Sequence, residues 1–169
     1  EIHFDENGSL DGDIIRMLDP FFKNNHNLTK IALVRCGLGA EDIRQLSLAI
    51  GSCNKLKHIE ITNNEMVDGQ LVEIITALSM HRHMKKLDLD GSRLGRNGCT
   101  ALATLLVCSC TKIETLDLRD NEINDEGLDA LVPSTSDVHG DEESAEIIKH
   151  PLVQNLCILL NFRDSTKQG

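Results

Sequence analysis

Acidic side chains recur along this chain at an interval that brings them into common register. Glu60 and Asp88 are 28 residues apart, and Asp88 and Asp117 are 29 apart. Asp90 stands two residues after Asp88, Lys86 two before it, and Arg119 two after Asp117. Carboxylates gathered in this way can ligate a divalent cation or receive the basic side chains of a partner. A second set, Asn25, Cys53, His81 and Cys110, recurs at the same interval, with His150 a further 40 residues on and His83 and Cys108 nearby. Its residue types are those of a zinc site.

The interval belongs to a repeat. Leu28, Ile31, Leu33, Cys36 and Leu38 are followed 28 residues later by Leu56, Ile59, Ile61, Asn64 and Met66. Met84, Leu87, Leu89, Ser92 and Leu94 come next, and then Ile113, Leu116, Leu118, Asn121 and Ile123. Between these stretches the apolar residues change to helical spacing, as in Asp42, Ile43, Leu46, Ala49 and Ile50, or Leu71, Ile74, Ile75 and Leu78, or Leu102, Leu105 and Leu106. Each unit thus predicts a short strand and a helix. Residues 1–27 read as an atypical first unit, with Ile2, Phe4 and Asn7 in the strand half and Ile14, Met17, Leu18 and Phe21 in the helical half, which Pro20 should shorten or kink. Val153, Leu156, Ile158 and Asn161 resume the pattern only 40 residues after Ile113, so an acidic insertion occupies Pro133–Pro151.

This L-x-x-L-x-L-x-x-N-x-L spacing at 28–29 residues resembles the ribonuclease-inhibitor-like class of leucine-rich repeats. The resemblance implies an α/β solenoid over residues 1–169 as one domain of five to six repeats. Its parallel strands line a concave face and its helices a convex one. Cys36, Asn64 and Asn121 take the turn position at which this class carries Cys or Asn. Gly98 and Gly127 share a register position near the helix start, a place for close approach. The class includes Ran GTPase-activating proteins and tropomodulin's actin-capping domain. A GTPase-activating regulator and a cytoskeletal binding domain are therefore the alternatives to a plain interaction scaffold, and no residue here aligns with their functional loops.

Period two along a strand turns the residues between the core leucines to the exposed sheet face. One exposed column then reads His3, Ala32, Glu60, Asp88, Asp117 and Cys157. The next reads Asp5, Val34, Thr62, Asp90, Arg119 and Leu159, and the one before it Lys30, His58, Lys86, Thr115 and Asn155. Like charges stacked on adjoining strands are unfavourable, and Lys30, Lys86 and Arg119 are placed to offset them. The candidate partner-binding residues are Glu60, Asp88, Asp90, Asp117, Arg119 and Lys86. Calcium needs six to eight oxygens, more than a flat strand surface supplies. The Cys/His set is spread over layers about 8–10 Å apart, whereas zinc ligands converge to about 2.0–2.3 Å from the metal. It reads instead as a column of helix-ending turn residues. No metal or other cofactor is expected.

Composition narrows the rest. A formal net charge of −10 disfavours nucleic acid, whose phosphates demand cationic neutralisation, and suits a protein partner with a basic surface. With 2% aromatic residues and neither Trp nor Tyr, the core must be aliphatic. No apolar run approaches the roughly 18 residues of a membrane span. The six cysteines follow the repeat, which reads as reduced thiols in a cytoplasmic protein; the sequons at Asn7 and Asn27 read as chance. There is no phosphate-binding loop, nucleophile elbow or H-E-x-x-H motif. The expectation is a non-catalytic protein-interaction scaffold, cut from a larger intracellular signalling or immune-receptor-like protein, as an opening Glu1 in place of Met suggests.

Overall fold

A computed structural model describes residues 1–5, 15, 20–22, 24, 27–64, 66–107 and 112–131. Its elements in chain order are β1 (Ile2–Asp5), β2 (Lys30–Val34), α1 (Ala40–Ser52), β3 (His58–Thr62), α2 (Asp68–Leu78), β4 (Lys86–Asp88), α3 (Arg96–Val107), β5 (Thr115–Asp117) and α4 (Asp125–Leu131). The strands pair in sequence order, each parallel to the next. The helices form a second layer, α1 against α2, α2 against α3 and α3 against α4. Strands stack about 4.8 Å apart and helices about 8–10 Å apart, so the array must curve with the sheet inside. The result is an α/β leucine-rich repeat solenoid.

The core fills the space between the layers with branched aliphatic side chains. Leu28, Leu56 and Met84 open their repeats fully buried, and Ile31, Leu33, Ile59, Ile61, Leu87 and Leu89 face inward from the strands. From the helices come Ile43, Leu46, Ala49 and Ile50 on α1, Leu71, Ile74, Ile75 and Leu78 on α2, and Leu102, Leu105 and Leu106 on α3. These are the residues that the helical spacing selects. Burying each of the larger ones contributes roughly 1.5–3 kcal/mol of transfer free energy.

The first unit departs from its expected phase. Phe21 is 43% exposed, whereas its neighbour Phe22 and Ile15 are buried. Seven residues separate Ile15 from Phe22, two helical turns, so the buried stripe runs one position later than the spacing around Phe21 suggested. Ile14, Met17 and Leu18 lie outside the described residues, as do the insertion 133–151, the last repeat at 153–161 and Cys108, Cys110 and Cys157.

β2, β3, β4 and β5 each leave the sheet through a turn built on one plan. The residue before the turn position takes a left-handed conformation in each of these four: Arg35 at φ 50°, Asn63 at 54°, Gly91 at 62° and Asp120 at 52°. That reversal frees backbone groups, and the side chain at the turn position satisfies them. Asn64 accepts from the Cys36 N–H at 3.0 Å and donates to the Leu33 and Thr62 carbonyls at 2.9 and 3.0 Å. Asn121 accepts from the Ser92 and Leu94 N–H groups and donates to the Leu89 carbonyl at 2.7 Å. At the same position Ser92 donates its hydroxyl to the Ile61 carbonyl at 2.6 Å. The turn residues thus stitch each repeat to the one before it.

Candidate functional site

The register that period two implies is the register present. Ala32, Glu60, Asp88 and Asp117 are directly opposed on β2 to β5, and Lys30, His58, Lys86 and Thr115 form the adjoining row. Three of the acidic residues therefore stand in line on one sheet face. Each carries its own cation. Lys30 Nζ on β2 lies 3.4 Å from Glu60 on the adjacent β3. Lys86 Nζ lies 3.1 Å from Asp88 on the same strand. Arg119 grips Asp117 through Nε at 2.9 and 3.0 Å and Nη2 at 2.7 Å.

Exposure grades along the row. The Asp88 side chain is only 11% exposed, while those of Asp117 and Glu60 reach 20% and 24%. The Arg119 side chain, at 71%, is open to a partner. The paired groups shift one another: the Arg119 guanidinium holds the Asp117 carboxyl below the usual carboxylate range, and the hydrogen bond to Asp88 raises the Lys86 ammonium.

Asp90 differs from the other three. Its Oδ1 is buried without a hydrogen-bond partner. Burial is the largest cause that pushes its carboxyl up, with Asp117, Asp120 and Asp88 adding to it and Arg119 opposing. Its main chain is firmly held, since its carbonyl accepts the Asn63 N–H at 2.8 Å. The site thus offers a row of matched charges with one carboxylate oxygen unmatched beside it.

The Cys/His column performs a structural task where it is described. His81 Nε2 lies 2.9 Å from the Ile50 carbonyl, and the Cys53 thiol 4.0 Å from that of Phe22, each reaching the helix end of the preceding repeat. Asn25, Cys110 and His150 lie outside the described residues. Among the described residues, no group of three or more His, Cys, Asp or Glu side chains is placed to hold a metal ion. No helix among them is long and apolar enough to cross a membrane. Sequence reasoning missed one functional contact, the capping of α3 by Asp68 of the preceding repeat. The signal available was Gly95, which has no side chain with which to cap its own helix.

Comparison with known proteins agrees with this geometry. The Leucine Rich repeat family matches residues 81–103 and 109–132. Ribonuclease inhibitor of Sus scrofa is 28% identical over 100 residues, 59% of this chain and 22% of that protein. This chain carries leucine-rich repeats and resembles the ribonuclease-inhibitor-like type. Leucine-rich repeat-containing protein AAC1 of Dictyostelium discoideum is 29% identical over 114 residues, 66% of the chain and 14% of that protein. The NACHT, LRR and PYD domains-containing protein 5 of Mus musculus is 26% identical over 127 residues, 74% and 11%. The chain therefore spans less than a quarter of the length of each of these relatives. A leucine-rich repeat array is a protein-interaction repeat and generally a non-catalytic binding scaffold.

Proposed function

We propose that residues 1–169 form one non-catalytic docking domain of a cytoplasmic signalling protein, whose concave sheet face receives a partner segment bearing basic side chains. Glu60, Asp88, Asp90 and Asp117 are the recognition row, with Lys86 and Arg119 orienting it. The observation that carries the reading is the line of Glu60, Asp88 and Asp117 on adjoining strands of one sheet face, with the Glu60 and Asp117 side chains still 24% and 20% exposed. A partner Lys or Arg would donate to the partly exposed Glu60 and Asp117 carboxylates, and a charge-assisted hydrogen bond in a half-buried site is worth more than one in bulk water. The buried free thiols of Cys36, Cys53 and Cys99 support a reducing compartment. The relatives, in which a stretch of this kind makes up 11–22% of the protein, support a module within a longer chain.

The test compares partners captured by the natural chain and by an Asp90→Lys/Asp117→Lys variant of matched thermal stability. The expected result is loss of a captured protein in the variant, with capture by the natural chain weakening as salt rises. An identical set of captured proteins for both forms would remove the concave face from consideration.

A further inference from the structure

The helices α1 to α4 begin in two different ways. At the starts of α1, α2 and α4, the backbone N–H group that a side chain binds finds that acceptor within its own repeat. Asp42 Oδ2 takes the Gly39 N–H at 2.9 Å, Gln70 Oε1 the Val67 N–H at 2.7 Å, and Asn124 Oδ1 the Gly127 N–H at 3.0 Å. α3 has glycine at both positions that supply such groups, Gly95 just before the helix and Gly98 at its third residue. Its free donors turn to Asp68, the first residue of α2 in the preceding repeat. The Gly95 and Gly98 N–H groups donate to Asp68 Oδ1 at 2.9 and 2.8 Å, and the Asn97 N–H donates to Oδ2 at 2.8 Å.

The glycines also make room for the visiting carboxylate. A Cβ on Gly98 would stand 2.7 Å from Asp68 Oδ1, and one on Gly95 would stand 3.2 Å from Asp68 Cγ. A negative charge at a helix start is doubly favoured, by the unsatisfied donors and by the helix dipole.

We propose that Asp68 is a coupling residue that makes the first turn of α3 conditional on the preceding repeat, so that the β3–α2 and β4–α3 repeats order and open as one unit. Solenoid stability is a sum of terms within repeats and terms between neighbours. A cap borrowed from the neighbour moves a term from the first kind to the second. The coupled pair carries Glu60 on β3 and Asp88 on β4, so the middle of the acidic row is held as one rigid piece whether or not that row binds a partner.

Amide hydrogen exchange on the whole chain tests this, with Asp68→Ala and Asp68→Asn set against Asn124→Ala as the locally capped control. Asp68→Ala is expected to speed exchange at Gly95, Asn97 and Gly98 roughly tenfold, and to lower the denaturant slope because the two repeats no longer open together. Asp68→Asn keeps one acceptor oxygen, so Asn97 should lose protection while Gly95 and Gly98 largely retain it. Asn124→Ala should speed exchange at Gly127 with the slope unchanged. Unaltered protection at Asn97 in both Asp68 variants, or equal slopes for the Asp68 and Asn124 variants, would overturn the proposal. Should Asp68→Ala not fold, the Asn97 amide and the slope in Asp68→Asn decide it.

Discussion

Cys36 and Asn64, one repeat apart, share a hydrogen bond from the Cys36 N–H to Asn64 Oδ1 at 3.0 Å, and both residues are buried. The same amide donates to the Leu33 and Thr62 carbonyls. One side chain therefore closes its own turn and locks the turn before it. Asn64→Ala should destabilise the fold by roughly 2–4 kcal/mol, because the Cys36 N–H and the Leu33 carbonyl lose this partner together while the Thr62 carbonyl keeps only the Arg35 N–H. Asn64→Asp should cost more still: it keeps the acceptors, removes the donors and buries a charge. Denaturation midpoints read both, and an alanine variant within about 0.5 kcal/mol of the natural chain would refute the stitching role.

Two glycines should respond to alanine with opposite signs. Gly91 sits at φ 62°, and a Cβ there would approach Asn63 Oδ1 to 2.6 Å. Gly91→Ala should therefore destabilise by roughly 1–2 kcal/mol or more. Gly51 lies in α1 with nothing within 4 Å of its would-be Cβ. Gly51→Ala should stabilise by roughly 0.5–1 kcal/mol, since it adds helix propensity without a clash. Thermal melts of the pair check the sign of each.

Asp90 and Asp117 should answer to acid in opposite senses. Arg119 depresses the Asp117 carboxyl below its ordinary 3.8 in the folded chain. Its contribution to stability is therefore present above that value and is lost as pH falls through the depressed one. Burial raises Asp90 above 3.8, so its ionisation opposes folding at neutral pH, and that opposition disappears as pH falls below 3.8. Asp117→Asn should lower stability at neutral pH, by roughly 1 kcal/mol or less given how open Arg119 is. Asp90→Asn should raise it, and both differences should shrink towards about pH 2. Melting curves for the two variants across that range supply the comparison, and shifts of the same sign at neutral pH would contradict the assignment.

The thiols should be inert while the chain is folded. Burial pushes the Cys99 thiol up to about 12, and burial is also the leading cause of the rise at Cys36 and Cys53. Alkylation requires the thiolate and access to it. At mildly alkaline pH these three residues should stay unlabelled in buffer and label fully in denaturant, as read by peptide mass. Fast native labelling of Cys99 would mean that the α3 layer opens far more readily than its packing implies.

Sequence alone determined the period, the strand register and the buried faces of α1, α2 and α3. It could do so because two short-range rules, alternation along a strand and 3.6 residues per helical turn, fix which way each side chain points once units repeat. The alignment of Glu60, Asp88 and Asp117 was legible for that reason, as were the turn positions of Cys36, Asn64 and Asn121. Tertiary structure decided what long or charged side chains do after leaving the backbone. Lys30 crosses to Glu60 on the next strand, whereas Lys86 turns to Asp88 on its own strand and Arg119, just past β5, turns back to Asp117. Asp90 keeps an unmatched oxygen, and Asp68 leaves its own helix to cap α3. Phe22 rather than Phe21 enters the core, in step with the buried Ile15 seven residues earlier. Spacing specifies direction, but partnership depends on reach, rotamer and what the neighbouring repeat leaves open, and only the packed layers supply those.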